Sequence, residues 1–316
     1  MEAAMESKFR RSSRFFSLQI SGTLAVSLIA LPAMAREENG TTFQAKSATI
    51  YYEVFGSGSA TPLIIVNGGP GFDHTYEHVS TAWDVLAKNR RVIFYDQRGT
   101  GRSPATKDQT YTLADQINDL EDLRAHLGAD HMELLGHSWG GYLVMAYAAE
   151  HPEHISHLII VDSAAPKFKD TIFLFENVFP EGTERQAGLG FKEEMGDKAA
   201  QDADLREYFS MLFYSPENRD RFLATVQPSV YKKDINEAVE KDIERFDLNP
   251  EIRKFKFPSL VITGRYDMNV ASSVAYKIHQ AIPGSQFAVF EKSGHLPFFE
   301  EPNQFVRVME EFLAGK

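Results

Sequence analysis

The sequence predicts an α/β protein: a mostly parallel, doubly wound sheet interrupted once by a helical insertion. Three observations lead there. Short apolar runs of strand character alternate with stripes of helical spacing. Several of those runs are apolar at nearly every position, as strands covered on both faces must be. The alternation lapses once, between about residues 165 and 250, and then resumes. Strand–helix alternation returns each strand parallel to the last, with helices packed on both faces.

Residues 1–35 have the form of an export signal. Lys8, Arg10, Arg11 and Arg14 make a basic start, an apolar stretch runs from Leu18 to Leu31, and Ala33-Met34-Ala35 supplies an A-x-A cleavage site. The apolar part is short for a membrane span and is interrupted by Gln19, Ser21, Gly22, Thr23 and Ser27. The expectation is a cleaved leader and an exported protein, periplasmic or secreted. No lasting membrane association is expected once the leader is gone. Arg10-Arg11 leaves both the twin-arginine and the general export routes open.

Residues 36–164 read as the first part of the α/β core. Strands are expected over residues 48–55, 62–66, 91–95, around Leu134-Leu135, and over 157–161. Leu113, Ile117, Leu120, Leu123 and Leu127 trace one face of a helix. Residues 165–250 are charged and aromatic-rich with no strong apolar strand, and read as a helical cap. Residues 251–316 complete the core with a strand at 259–262, a helix at 274–282, a strand at 286–290 and a last helix from Pro302. Proline suits a helix first turn, where its missing N–H would have no partner anyway.

Composition narrows the function. The net charge is −11, with no basic tract beyond the first residues, so nucleic acid is not an expected partner. There is no cysteine, hence no disulfide, thiol nucleophile or thiolate metal site. No H-E-x-x-H, Asp-rich calcium loop or post-strand G-x-G-x-x-G occurs, so neither metal nor cofactor is expected. What remains is a small molecule or short peptide as substrate.

The chemistry concentrates at residues 134–141, Leu-Leu-Gly-His-Ser-Trp-Gly-Gly. An apolar strand end, a G-x-S-x-G turn and a helical run follow one another. This arrangement exposes the serine hydroxyl on a strained strand-to-helix turn, with the helix N-terminus behind it. A serine attacks only if a base takes its proton and an acid orients that base. Ligands of such sheets bind beyond the carboxyl ends of the strands, so both partners belong just after strands. Asp267 and His295 follow the strands ending near Thr263 and Phe290, in the chain order Ser, Asp, His. Asp162, just after Val161, is the rival acid. His137 flanks the serine and is expected to point elsewhere, and His74 and His78 precede it, contrary to that order.

Acyl transfer also needs donors aimed at the developing oxyanion. One is expected from the N–H of Trp139, the other from the loop Asn67-Gly68-Gly69-Pro70-Gly71, with Gly69 first and Gly68 as the alternative. The loop Asp96-Gln97-Arg98-Gly99-Thr100-Gly101-Arg102-Ser103 reads as architectural, with Asp96 and Arg98 bonding backbone and each other.

These three motifs together resemble the proline iminopeptidase (prolyl aminopeptidase) branch of the α/β-hydrolase superfamily, over nearly the whole mature chain. The resemblance implies a Ser-His-Asp hydrolase with a helical cap, releasing an N-terminal proline or another small or apolar residue from short peptides. Two departures stand out. Asn67 stands where the family's oxyanion loop has histidine. The family reads the substrate amine with cap acids, one of them just before a Tyr-Phe pair; here Leu205 holds the matching place ahead of Tyr208-Phe209. A buried ammonium needs an anionic partner, and Glu207, Glu237 and Glu244 are the candidates, with Asn67 a further substrate contact. An esterase or lactonase would use the same three residues without an amine pocket. A protein that only binds its ligand would need none of the three in order.

Overall fold

The computed structural model describes residues 40–226 and 231–315. The expected leader at 1–35 lies outside the described residues. Eight strands form one sheet: β1 Thr41–Gln44, β2 Thr49–Phe55, β3 Ala60–Val66, β4 Arg90–Tyr95, β5 Met132–His137, β6 Ile155–Val161, β7 Ser259–Gly264 and β8 Gln286–Phe290. Their spatial order is β1-β2-β4-β3-β5-β6-β7-β8. β2 runs antiparallel to β1 and β4, and every pair from β4 to β8 is parallel. β1 escaped the sequence reading because it is four residues long with only Phe43 buried.

The helices of ten residues or more are α1 Leu113–His126, α2 Trp139–Glu150, α3 Pro180–Glu194, α4 Lys198–Ser210, α5 Pro216–Thr225, α6 Lys233–Ile243, α7 Ser272–Ala281 and α8 Pro302–Leu313. Thr112 and Asp115 form a reciprocal capping box that starts α1. α2 is buried from Trp139 through Ala148, which explains its apolar run without a polar face.

Period-two alternation along the strands supplies two cores, one on each face of the sheet. Ile64, Val66, Leu134 and Ile160 join the face covered by α1, α2 and α7. Leu63, Ile65, Leu135 and Ile159 join the other, with Trp83, Phe298, Phe305 and the α8 side chains Met309 and Phe312. Between β6 and β7 the described residues hold helices and no strand. That insertion reaches both cores: Leu205, Phe209, Leu212 and Phe222 enter one, Ile235, Val239 and Ile243 the other. Each such side chain contributes about 1.5–3 kcal/mol when fully buried, so the insertion is bound into the fold. No helix among the described residues is long and apolar enough to cross a membrane.

Because β3 to β8 are parallel, their carboxyl ends share one rim. Asn67, Asp96, Ser138 and Asp162 each follow a strand end directly, and Asp267 and His295 lie a few residues past β7 and β8.

Candidate active site

Ser138 joins β5 to α2 at φ +56°, ψ −120°. A non-glycine residue holds such angles only where its surroundings impose them. The imposing contacts are Ser138 N–H to the Val161 carbonyl at 2.9 Å, and Gly141 N–H to the Ser138 carbonyl at 3.0 Å. The flanking glycines are required by space: a Cβ on Gly136 would strike the Gly140 carbonyl, and one on Gly140 would strike that of Val66.

Asp267 and His295 meet as expected. The His295 Nδ1–H donates to Asp267 Oδ2 at 2.7 Å. Asp267 Oδ1 accepts from the N–H groups of Asn269 and Val270, both at 2.9 Å. The acid therefore accepts from three donors, and the imidazole lone pair is left on Nε2. The Asn269 side-chain amide donates to that lone pair at 3.1 Å, and also to the Tyr208 hydroxyl at 3.2 Å. The Ser138 hydroxyl has no hydrogen-bond partner among the described residues. Asn269 was missed by the sequence reading, although its place two residues after the acid puts it within reach of the base.

The insertion holds the loop of the base. His295 N–H donates to the Leu212 carbonyl at 2.8 Å. The Glu300 carboxyl accepts from Gly294 N–H at 2.7 Å, Tyr214 N–H at 3.1 Å and Ser215 N–H at 3.0 Å. One side chain thus ties the histidine loop to the turn between α4 and α5.

The oxyanion loop is fixed by a buried relay. Gly68 N–H donates to the Tyr76 hydroxyl at 2.7 Å, which bonds His137 Nδ1 at 2.7 Å, while His137 Nε2 meets the His295 carbonyl at 2.8 Å. A carbonyl only accepts, so His137 is protonated at Nε2 and takes the Tyr76 proton at Nδ1. Burial pushes His137 well below its ordinary range, with His295 beside it adding to the effect, which agrees with a neutral ring. Since the N–H of Gly68 is occupied, Gly69 is the donor left of the two. Its φ of +129° suits glycine alone, and it lines the same cavity as Ser138 and Trp139. Asn67 turns inward, donating to the carbonyls of Gly68 and Phe72 at 2.8 and 3.0 Å, and so supports the loop from beneath rather than lining the cavity.

The architectural loop differs from expectation in one respect. Arg98 and Asp96 do not pair with each other: Arg98 grips Asp119 through Nε and Nη2 at 2.7 and 2.8 Å. Asp96 instead holds His74 Nδ1 at 2.5 Å and Arg102 N–H at 2.7 Å. Burial opposes a charge on His74, but its bond to Asp96 and the Glu53 carboxylate 3.6 Å from Nε2 overcome this and push it up to about 10. Gln97 links the two expected oxyanion elements, donating to the Asn67 carbonyl at 2.9 Å and accepting from Trp139 Nε1 at 2.8 Å.

A cavity of about 210 Å³ opens over Ser138, walled by Phe72, Tyr208 and Tyr231. The expected cap acids do not line it. Glu207 pairs with Arg185 at 2.7 Å, and Glu237 and Glu244 stand exposed on and just past α6. The acids that line it are Asp204 and Glu240, one helical turn from Glu207 on α4 and from Glu237 on α6. Burial pushes the Asp204 carboxyl up against the bond it accepts from Gln186. Burial does the same to Glu240, reinforced by the charges of Glu237 and Glu244. Helical phase decides between neighbours on a helix; α4, charged and sparsely apolar, leaves that phase ill-defined, while on α6 the stripe Ile235, Val239 and Ile243 marks the core face, with Glu240 directly after Val239. A larger hollow of about 560 Å³ beside Ala148 and Phe255 contains none of these groups.

Comparison with known proteins shows the family. A family described as the alpha/beta hydrolase fold matches residues 61–302. A proline iminopeptidase from Saccharolobus solfataricus is 31% identical, covering 84% of this chain and 88% of its own. One from Clostridium botulinum is 32% identical, covering 83% and 94%. The chain belongs to the proline iminopeptidase branch of the α/β-hydrolase superfamily. Within that superfamily it is a serine hydrolase. An alpha/beta fold family hydrolase from Bacillus anthracis matches with a TM-score of 0.72 at 23% identity, over 86% of this chain and 99% of its own. An enol-lactonase from Burkholderia xenovorans matches at 0.68 and 22%, over 87% and 100%. These two likenesses speak for the hydrolase fold alone.

Proposed function

We propose that this hydrolase is an exported aminopeptidase that releases an N-terminal proline, or another small or apolar residue, from short peptides through an acyl-enzyme on Ser138. Ser138 attacks the scissile carbonyl while His295 Nε2 takes its proton, and Asp267 orients the ring and faces the charge that forms. The N–H groups of Gly69 and Trp139 receive the oxyanion. His295 returns the proton to the departing amine, then activates water for deacylation. The Asn269 amide must give up the Nε2 lone pair before the first step.

The observation that carries the reading is the pair of acids, Asp204 and Glu240, facing the cavity over Ser138. No lysine or arginine lines that cavity among the described residues. Two half-buried carboxyls without a cationic wall fit a protonated α-amine, which removes the cost of holding them in a poorly hydrated place. The aromatic walls suit a small apolar side chain beside it. The curated relatives named proline iminopeptidase support the same reading.

The test compares prolyl-naphthylamide, its N-acetyl form and short p-nitrophenyl esters on the mature chain. Turnover of the free amine and loss of turnover on acetylation are expected. Ester hydrolysis alone would replace the aminopeptidase by an esterase or lactonase. Fluorophosphonate labelling, lost in Ser138→Ala, separates either enzyme from a protein that only binds.

A further inference from the structure

The rim carries two acids at equivalent places, and the mechanism uses one. Asp162 follows β6 directly, Asp267 follows β7, and the two strands pair in parallel with Val161 beside Ile262. Asp162 takes φ +45°, one of three positive values at non-glycine residues among those described, with Ser138 and Gln109. Its N–H is held by the Ile262 carbonyl at 3.0 Å, and its Oδ1 accepts from Gly264 N–H at 2.9 Å. Oδ2 is buried and has no hydrogen-bond partner. One carboxyl oxygen of Asp162 lies within 4.8 Å of a ring nitrogen of His137 and of His295.

Holding Gly264 N–H needs a single acceptor, which an amide or hydroxyl would supply without bringing a second buried carboxyl beside the first. Like carboxyls sharing a site cannot both ionise freely. The groups facing Asp162 are His137 from β5, Thr263 and Asp267 from β7 and its loop, and His295 from the loop after β8. His137 is neutral in the relay described above. Burial, with the charge of Asp267 beside it, pushes the Asp162 carboxyl well up, so it holds its proton more tightly than an ordinary carboxyl does.

We propose that Asp162 is a second acid for the base: a positioning residue behind Asp267 whose free Oδ2 takes over the imidazole N–H when the Asp267 carboxylate is removed. The inference rests on the Ser138–His295–Asp267 mechanism. With Asp267 replaced by alanine, the charge opposing ionisation of Asp162 is gone and space opens beside the ring. The Asp162 proton then passes to solvent, and the carboxylate accepts from His295 Nδ1–H.

A double-mutant cycle tests this, with kcat/KM and thermal unfolding measured for Asp162→Asn, Asp267→Ala and both together. Asp162→Asn alone costs less than about fivefold, and Asp267→Ala about 10²–10³-fold, less than complete loss of an orienting acid. In the Asp267→Ala background, Asp162→Asn costs at least about tenfold more than it does alone, because the two side chains share one task. The residual rate of Asp267→Ala also rises with pH more steeply than that of the wild type, as Asp162 ionises. Equal cost of Asp162→Asn in both backgrounds overturns the proposal. If Asp162→Asn does not fold, the Asp267→Ala profile decides, and one parallel to the wild type overturns it. Failure of the underlying mechanism looks different: Asp267→Ala would then keep the wild-type rate.

Discussion

The sheet rim and the wall of the helical insertion face each other across one cavity, and they are built differently. On the rim, hydrogen bonds to backbone groups place most of the machinery. The Ser138 carbonyl and N–H are both bonded, Asp267 is held by two backbone N–H groups, and the loop of His295 is fixed through the Leu212 carbonyl and Glu300. On the wall, Asp204 and Glu240 reach the cavity as side chains of α4 and α6, placed by helical phase and by single side-chain bonds from Gln186 and Asn236. In the proposed mechanism, attack is therefore set by the rim, with the insertion steadying the base loop, and substrate choice by which turn of a helix faces inward. The second can change without disturbing the first.

The largest expected effect lies on the rim. Ser138→Ala or His295→Ala should lower kcat/KM by about 10⁴-fold or more for every substrate, peptide or ester, because the groups act as a unit. Next comes the wall. Asp204→Asn and Glu240→Gln should each raise KM for free-amine substrates about 10–100-fold, the range of a lost charged hydrogen bond. Neither should affect p-nitrophenyl esters. An equal loss on amines and esters would show that rim and wall are not separable in this way.

The same contrast explains what could be read without coordinates. Strand–turn–helix chemistry at Ser138 is local, so G-x-S-x-G, the following N–H and the glycines of the oxyanion loop were legible. Asp267 and His295 were legible because parallel strands must deliver their successors to one rim. Asp204 and Glu240 were not: each stands one turn from another acid, α4 carries no strong apolar stripe, and on α6 the stripe Ile235, Val239 and Ile243 marks the face toward the core without marking a substrate wall. Asn269, Tyr76 and Glu300 were missed for another reason. Each acts on groups brought close only by the finished fold, as when Tyr76 meets Gly68 and His137.

Glu300 sits between the two regions and can sharpen the comparison. Its carboxyl accepts from the histidine loop and from the insertion at once, and burial pushes it up against those bonds. Glu300→Gln puts an NH₂ where N–H groups already point, leaving donors facing donors. A loss of about tenfold in kcat is expected, with KM little changed, since kcat alone follows the placement of His295. A rise in KM without loss of kcat would assign Glu300 to the wall instead.

The smallest effect on rate is expected from Glu77, which lies beneath the oxyanion loop and touches no substrate. It is fully buried, and desolvation pushes its carboxyl up to about 8 despite the opposing charge of His74. A carboxyl raised on folding binds its proton more tightly in the native state than in the unfolded chain. Its contribution to stability is therefore full below the unfolded value near 4.5 and is lost as pH rises through about 8. The span corresponds to a loss on the order of 5 kcal/mol, a large share of a total of about 5–15 kcal/mol. Raised His74 acts in the same direction at higher pH, so the wild type alone does not isolate Glu77. Glu77→Gln does: its melting temperature should fall less than that of the wild type between pH 5 and 9, with kcat at pH 7 within about twofold of wild type. Parallel melting curves across that interval would show that the buried carboxyl does not titrate there. The oxyanion loop would then rest on Tyr76 and His137 without any dependence on its charge.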